Sequence, residues 1–356
     1  MSRQSMSEAN IKKLDKSGML GLLLEFPLQC VRAREIAAGV RILFEKRDFS
    51  KIVFAGLGGS AIGADLVRSY LYFESKIPVL VFREYDLPGL VDESTLVFIT
   101  SYSGNTEETL SAFRQAKEKN ATIVAISSDG SLKESAAKYG LTFIEIPKGL
   151  PPRCALGYLS LIPLCVLSRL GLVKEIGPQI NSMVATLDEL KKRSLRPGIG
   201  QKDNIAKSIA SRLYNKFAVI YAPCVHFDVT ALRFRGQLNE NSKALASSHV
   251  FPEMNHNEIV GWQNPKKVFK NLSVVMLRDN KMHPRTSIRM DITCDMIKKE
   301  GVEVTEVNSR GEDLLSRIFS LIYIGDFVSF YLAILYGIDP TPVERVTYLK
   351  KELIKA

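Results

Sequence analysis

"STLVFITSYSGNTEET", residues 94–109, changes character halfway along. The first half is apolar and β-branched, the composition of a strand buried on both faces. The second half packs Ser101, Ser103, Gly104 and Thr106 into six residues and then runs into the helical pattern of "NTEE". A buried strand ending in such a loop and passing into a helix is the first half of a parallel β–α–β unit. That pattern recurs along the chain. "KIVFAG" (51–56) reads as a strand followed by a Gly-rich turn and a helical pattern through Tyr72. "IPVLVF" (77–82), "TLVFIT" (95–100), "ATIVAI" (121–126) and "LTFIEI" (141–146) are further short apolar strands, with helical stretches between the last three. A helix is expected ahead of them, around residues 19–47.

A second sheet is predicted downstream. "KKRSLRPGIGQKDN" (191–204) is polar, holds Pro197, Gly198 and Gly200, and reads as a linker. "KFAVIYAP" (216–223), "LSVVMLR" (272–278) and "VEVTEV" (302–307) then supply strands before a helical C-terminus. The expectation is an α/β protein of two doubly wound parallel-sheet domains, residues 1–193 and 205–356. Ligands in such sheets sit beyond the carboxyl ends of the strands.

Composition narrows the function classes. The 356 residues leave room for two domains, and 48 Lys+Arg against 38 Asp+Glu give a net charge of +10. The basic residues are scattered, and the doublets Lys266-Lys267 and Lys298-Lys299 lack aromatic neighbours, so no nucleic-acid partner is expected. A basic background serves an anionic small substrate equally well. Cys30, Cys154, Cys165, Cys224 and Cys294 form no C-x-x-C pair, which argues against a zinc knuckle or a disulfide framework. The polar N-terminus has no apolar leader core. The apolar stretches 154–173 and 314–338 carry Arg169, Arg317 and Asp326, and read as buried helices and not as membrane spans. A cytoplasmic location is expected.

Two loops carry the chemistry. "GLGGSAIG" (56–63) lets backbone approach an anion at a helix start, yet also fits G-x-G-x-x-A, a dinucleotide signature, or a plain tight turn. The acid at the end of the second strand, Glu84, lies 28 residues past Gly56, against the usual ~20 for a ribose-binding acid. In the second loop Asn105 and Glu108 can form a capping box. Capping has no need of Ser101, Ser103 and Thr106, whose hydroxyls suit a phosphate monoester.

"GLGGSAIGAD", "SYSGNTEET" and "PPRCALGY", followed in order by "NENSKALA", "FPEMNHNEIVGW" and "GDFVSFYLAILYGIDPTPV", resemble the sugar isomerase (SIS) domain proteins. More narrowly they resemble the bifunctional phosphoglucose/phosphomannose isomerase family, from about Gly18 to Leu353. The "SGNT" loop is common to many sugar-phosphate binders; its combination with "NEN", "NHNE" and "DPTPV" is far more specific.

The resemblance implies an aldose–ketose isomerase of carbohydrate metabolism, acting on glucose 6-phosphate and mannose 6-phosphate through an enediolate. Such chemistry needs a base reaching adjacent carbons, a cation near the developing oxyanion, and an acid/base pair to open the ring. By resemblance Glu240 is the base, and His256 is the ring-opening histidine, donated across a homodimer interface. Arg153 faces the enediolate oxygens, and Lys350 is the ring-opening lysine, with Lys351 the alternative. The phosphate would rest on Gly59, Ser60, Ser101, Ser103 and Thr106, and Thr341 would be the small group tied to accepting mannose. No cofactor is implied. Glu258 does not stand in H-E-x-x-H spacing with His256, so no metal site is expected. The competing functions are a sugar-phosphate-sensing regulator without catalysis and, further off, a nucleotide-dependent oxidoreductase.

Overall fold

The computed structural model describes residues 3–45, 47–353 and 355, which fall into two compact units. One comprises residues 25–185 with 313–316; the other comprises 1–24, 186–312 and 317–356. Two short helices, α1 (Glu8–Leu14) and α2 (Met19–Leu24), open the chain and belong to the second unit. This differs from a division at 193/205. Residues 3–24 fold with the C-terminal sheet, and the boundary falls near Ala185.

In the first unit, α3 (Phe26–Gly39) precedes β1 (Lys51–Ala55) and α4 (Gly59–Leu71). Then come β2 (Val79–Phe82), β3 (Thr95–Thr100), α5 (Glu107–Glu118), β4 (Thr122–Ser127), α6 (Ser131–Lys138) and β5 (Thr142–Glu145). A 3₁₀ turn (Pro152–Cys154) leads into α7 (Leu156–Arg169), and α8 (Gly177–Leu190) follows. The five strands are parallel in the order β2-β1-β3-β4-β5. β3 and β4 are buried throughout, which is why their sequences carry no polar alternation. Phe54 and Phe98, paired in register, stack at 4.8 Å on one face of the sheet. Val53, Val97, Ile99 and Ala125 pack with Phe113 of α5 and Leu132 of α6 in another core cluster.

The second unit continues with α9 (Ile205–Leu213), β6 (Phe217–Pro223), α10 (Asp228–Asn241) and β7 (Ala246–Phe251). After a 3₁₀ turn (Glu253–His256) come α11 (Glu258–Gly261), α12 (Lys266–Phe269), β8 (Leu272–Arg278), α13 (Pro284–Lys299) and β9 (Glu303–Asn308). The long α14 (Leu314–Tyr336) and α15 (Glu344–Leu353) complete it. This sheet is also parallel, β7-β6-β8-β9. α14 is long and apolar enough to cross a membrane, with a mean hydropathy of 2.0, but its apolar window is wholly buried inside the protein. Its two charges are paired internally: Arg317 with Asp279, and Asp326 with Arg233. Tyr323 donates to the carbonyl of Leu23, which ties α2 to this helix.

Three expectations change. The helix foreseen over 19–47 is α2 plus α3, and it stops at Gly39, where Arg169 binds the terminal carbonyls of Ala37 and Val40. β7 went unpredicted because "ASSHVF" is a half-buried edge strand without a long apolar run. The stretch 191–204 is folded chain and not a linker. It continues α8 in a π-helical turn (Lys191–Leu195), and buried Asn204 donates to the carbonyls of Leu195 and Arg196.

Candidate active site

In the first unit the sheet order reverses direction between β1 and β3, which is where ligands bind in open parallel sheets. Both notable loops leave the sheet there. Ser101, 2% exposed, closes β3; its hydroxyl lies 2.8 Å from that of Thr106 and accepts from Gly104 N–H at 3.1 Å. Ser103 is exposed and accepts from Asn105 N–H. Thr106 is the N-cap of α5 but makes no side-chain capping bond, so among the described residues the first-turn N–H groups of that helix remain open. The expected Asn105–Glu108 capping box does not form, because the Asn105 carbonyl accepts instead from Ser131 N–H at the start of α6. Gly104, at φ +72, is obligatory: a Cβ there would lie 1.7 Å from the Asp129 carbonyl.

The loop after β1 approaches the same place. Ser60 is buried in the first turn of α4. Gly59 has a packing role, since its Cβ would come 2.6 Å from Pro152 O and 3.2 Å from Arg153 N. The missing side chain therefore lets the Pro152–Cys154 turn press against the start of α4. That turn is held on both sides. Tyr102 donates to Pro147 O and accepts from Leu150 N–H, while Gln29 donates to Cys154 O and accepts from Gly157 N–H. Arg153, only 4% exposed, is carried on this clamped turn. Hydroxyls, open helix N–H groups and a buried guanidinium thus come from one small region.

The second unit holds the remaining candidates. Glu240 is partly buried near the end of α10, whose rotation is set by a polar ladder against α14. Arg233 and Gln237 both bind Asp326, and Asn241 donates to the Ser329 hydroxyl at 2.9 Å. Lys243 joins this helix end to the "DPTP" loop by donating to Asn241 O, Asp339 O and Pro340 O. Thr341 is therefore brought to the Glu240 end of α10, on a loop that also has its N–H bound by the Asp339 carboxylate.

His256 lies elsewhere in that unit. α10 runs back from the carboxyl end of β6 to the amino end of β7, so Glu240 sits at the amino edge of the sheet. His256 follows the carboxyl end of β7, exposed on the turn. Six residues of strand at ~3.3 Å each put roughly 20 Å between those edges. His256 and Glu240 are not brought together within one chain. Lys350 and Lys351 are both exposed on α15, where no described residue is buried. Among the described residues no group of three or more His, Cys, Asp or Glu is placed to hold a metal ion.

Two family models match the chain, the SIS domain over residues 45–154 and the bacterial phospho-glucose isomerase C-terminal SIS domain over 202–353. The bifunctional phosphoglucose/phosphomannose isomerase of Caldicellulosiruptor bescii is 47% identical over 336 residues, 94% of this chain and 98% of that one. The chain belongs to that family. The isomerase is also 37% identical over 331 residues to the bifunctional phosphoglucose/phosphomannose isomerase of Aquifex aeolicus, covering 90% of this chain and 98% of the relative. A hypothetical protein of Thermus thermophilus shares the fold at a TM-score of 0.72 and 14% identity, over 98% of this chain and 93% of that one.

Sequence reading of the isomerase missed the supports of its site. Tyr102 lay inside the quoted loop, but nothing in "SYSGNT" shows that its hydroxyl reaches residues 147–150. Lys243 was equally silent. It stands in "NENSK", but two of its three carbonyl partners, Asp339 and Pro340, are almost 100 residues away in sequence.

Proposed function

We propose that the isomerase interconverts glucose 6-phosphate and mannose 6-phosphate with fructose 6-phosphate, with the ester phosphate on Ser60, Ser101, Ser103, Thr106 and the Gly59 backbone. The observation that carries this reading is the Ser101–Thr106 hydroxyl pair at the open N-terminus of α5, on the switch point of the sheet. Dianionic phosphate accepts from both hydroxyls and from helix N–H groups at once.

The two aldose phosphates differ only in configuration at C2. Removing the C2 proton erases that difference, so one base and one enediolate serve both. Glu240 takes the proton from C2 and returns it to C1, while Arg153 stabilises the negative charge that develops on the enediolate oxygens. His256 and Lys350 open and close the ring, and Thr341 leaves room for the mannose configuration. The placement of Glu240 and His256 at opposite edges of one sheet supports a homodimer in which His256 serves the other copy's Glu240. Neither nucleic acid nor membrane takes part, and the cytoplasm is the expected compartment.

The test is a coupled assay on both aldose phosphates with no nicotinamide cofactor bound to the isomerase itself. Turnover of both supports the reading. Saturable binding of sugar phosphate without turnover would leave a regulator, and activity that depends on added NAD would leave an oxidoreductase.

A further inference from the structure

The "EMNHNE" segment, residues 253–258, spends five of its six residues on holding itself in place. Met254 is fully buried in the core beneath β6–β8. The Asn255 amide donates to the Thr293 hydroxyl of α13 at 3.0 Å. Asn257 donates to the Glu253 carboxylate and accepts from Glu258 N–H. Glu258 reaches back to the sheet: Tyr221 O–H donates to one carboxylate oxygen at 2.5 Å, and His249 Nδ1 meets the other at 2.8 Å. Only the His256 side chain has no hydrogen-bond partner among the described residues, and it is exposed.

The Glu258 anchor is itself built in. Tyr221 and His249 are paired in register on β6 and β7, so their side chains leave the same face of the sheet side by side. Tyr221 is fully buried, and Trp262 N–H donates to its oxygen at 3.1 Å. Burial first, and then the Glu258 carboxylate beside it, hold the Tyr221 hydroxyl well above the usual phenol range, so it stays protonated and donates. A carboxylate accepting two charge-assisted bonds from adjacent strands fixes the chain two residues past His256 in both direction and height.

We propose that Glu258, with Tyr221 and His249, is a positioning group that aims His256 at the substrate ring. This rests on the ring-opening reading of His256. It also gives Glu258, whose sequence spacing excluded metal binding, a physical role: it acts through the backbone and never touches the sugar.

A double-mutant cycle on the full-length isomerase tests it, with cyclic aldose phosphate as substrate. Glu258→Ala should lower kcat by about 10²-fold, the scale of a misplaced catalytic group, with KM within about twofold. Glu258→Gln keeps an acceptor for Tyr221 and should recover part of the loss. The deciding measurement is the combination with His256→Ala. If Glu258 acts through His256, the double variant turns over no more slowly than His256→Ala alone. If the two losses multiply, or Glu258→Ala keeps wild-type turnover, the positioning role is overturned while the His256 reading stands. Near-normal turnover of His256→Ala itself overturns that reading and the proposal with it. Should Glu258→Ala fail to fold, His249→Gln at the half-exposed end of the anchor answers the same question, with a smaller loss that must also vanish in the His256→Ala background.

Discussion

Arg233 and Asp326 form a two-pronged ion pair, at 3.1 and 2.7 Å, with both side chains only 4% exposed. Burial pushes the Asp326 carboxyl up, and the Arg233 guanidinium opposes that shift. The pair locks α10 against α14, and Glu240 lies seven residues past Arg233, within about 20° of the same helix face. Asp326→Ala strands a buried guanidinium and should cost about 3–5 kcal/mol in urea unfolding. Arg233→Met with Asp326→Leu should regain most of that stability but not the turnover, because Gln237 loses its partner and the helix its fixed rotation. Full activity in a stable double variant would show that the ladder does not place Glu240.

Glu240→Gln retains the shape of the proposed base without its proton acceptor. Turnover of both aldose phosphates should fall by roughly 10²–10⁴-fold, with KM little changed. A variant that stayed near wild type would move the base to another residue.

Ser101→Ala and Thr106→Ala each remove one hydroxyl of the proposed phosphate site. Each should weaken substrate binding by roughly 1.5–3 kcal/mol, read as KM under conditions where chemistry is slow. Turnover of unphosphorylated fructose by the wild type at a comparable rate would sink the assignment.

Mixing tests the shared site. Glu240→Gln and His256→Ala homodimers, unfolded together in equal amounts and refolded, should regain activity in about a quarter of sites. Half of the dimers are then mixed, and in these both lesions fall in one site. If each chain serves its own site, no recovery appears despite confirmed subunit exchange. Activity on both substrates is further expected to survive exhaustive chelation; a mannose 6-phosphate activity restored only by zinc would contradict the metal-free reading.

Alkaline pH should loosen the first unit through Tyr70. Burial is the main cause raising its pKa from 10.0 to about 12. Between those values the folded state holds a proton that the unfolded state has lost, so stability is complete below about pH 10 and declines as pH rises through 12. The loss is on the order of 2–3 kcal/mol, and Tyr70→Phe should remove that part of the pH dependence of urea unfolding. An unchanged profile would place the alkaline sensitivity elsewhere.

What the sequence determined by itself was local. Apolar β-branched runs are strands whichever neighbours they meet, and the β–loop–α rhythm leaves a parallel sheet as the only way to bury them. The hydroxyls of "SYSGNT" suggested a phosphate site, because capping alone has no use for three of them, and that reading stays a proposal. The tertiary structure decided everything that depends on distance across the chain. That Gly59 must lack a side chain became visible only when the Pro152 carbonyl was found where its Cβ would stand. Asn105 looked like a cap until Ser131 claimed its side chain. Glu240 and His256 are only 16 residues apart in sequence, yet a helix and a strand running in opposite directions carry them to opposite edges of one sheet. Hydrogen-bond partners and helix rotation are set by which residues meet after packing, and no local pattern encodes that.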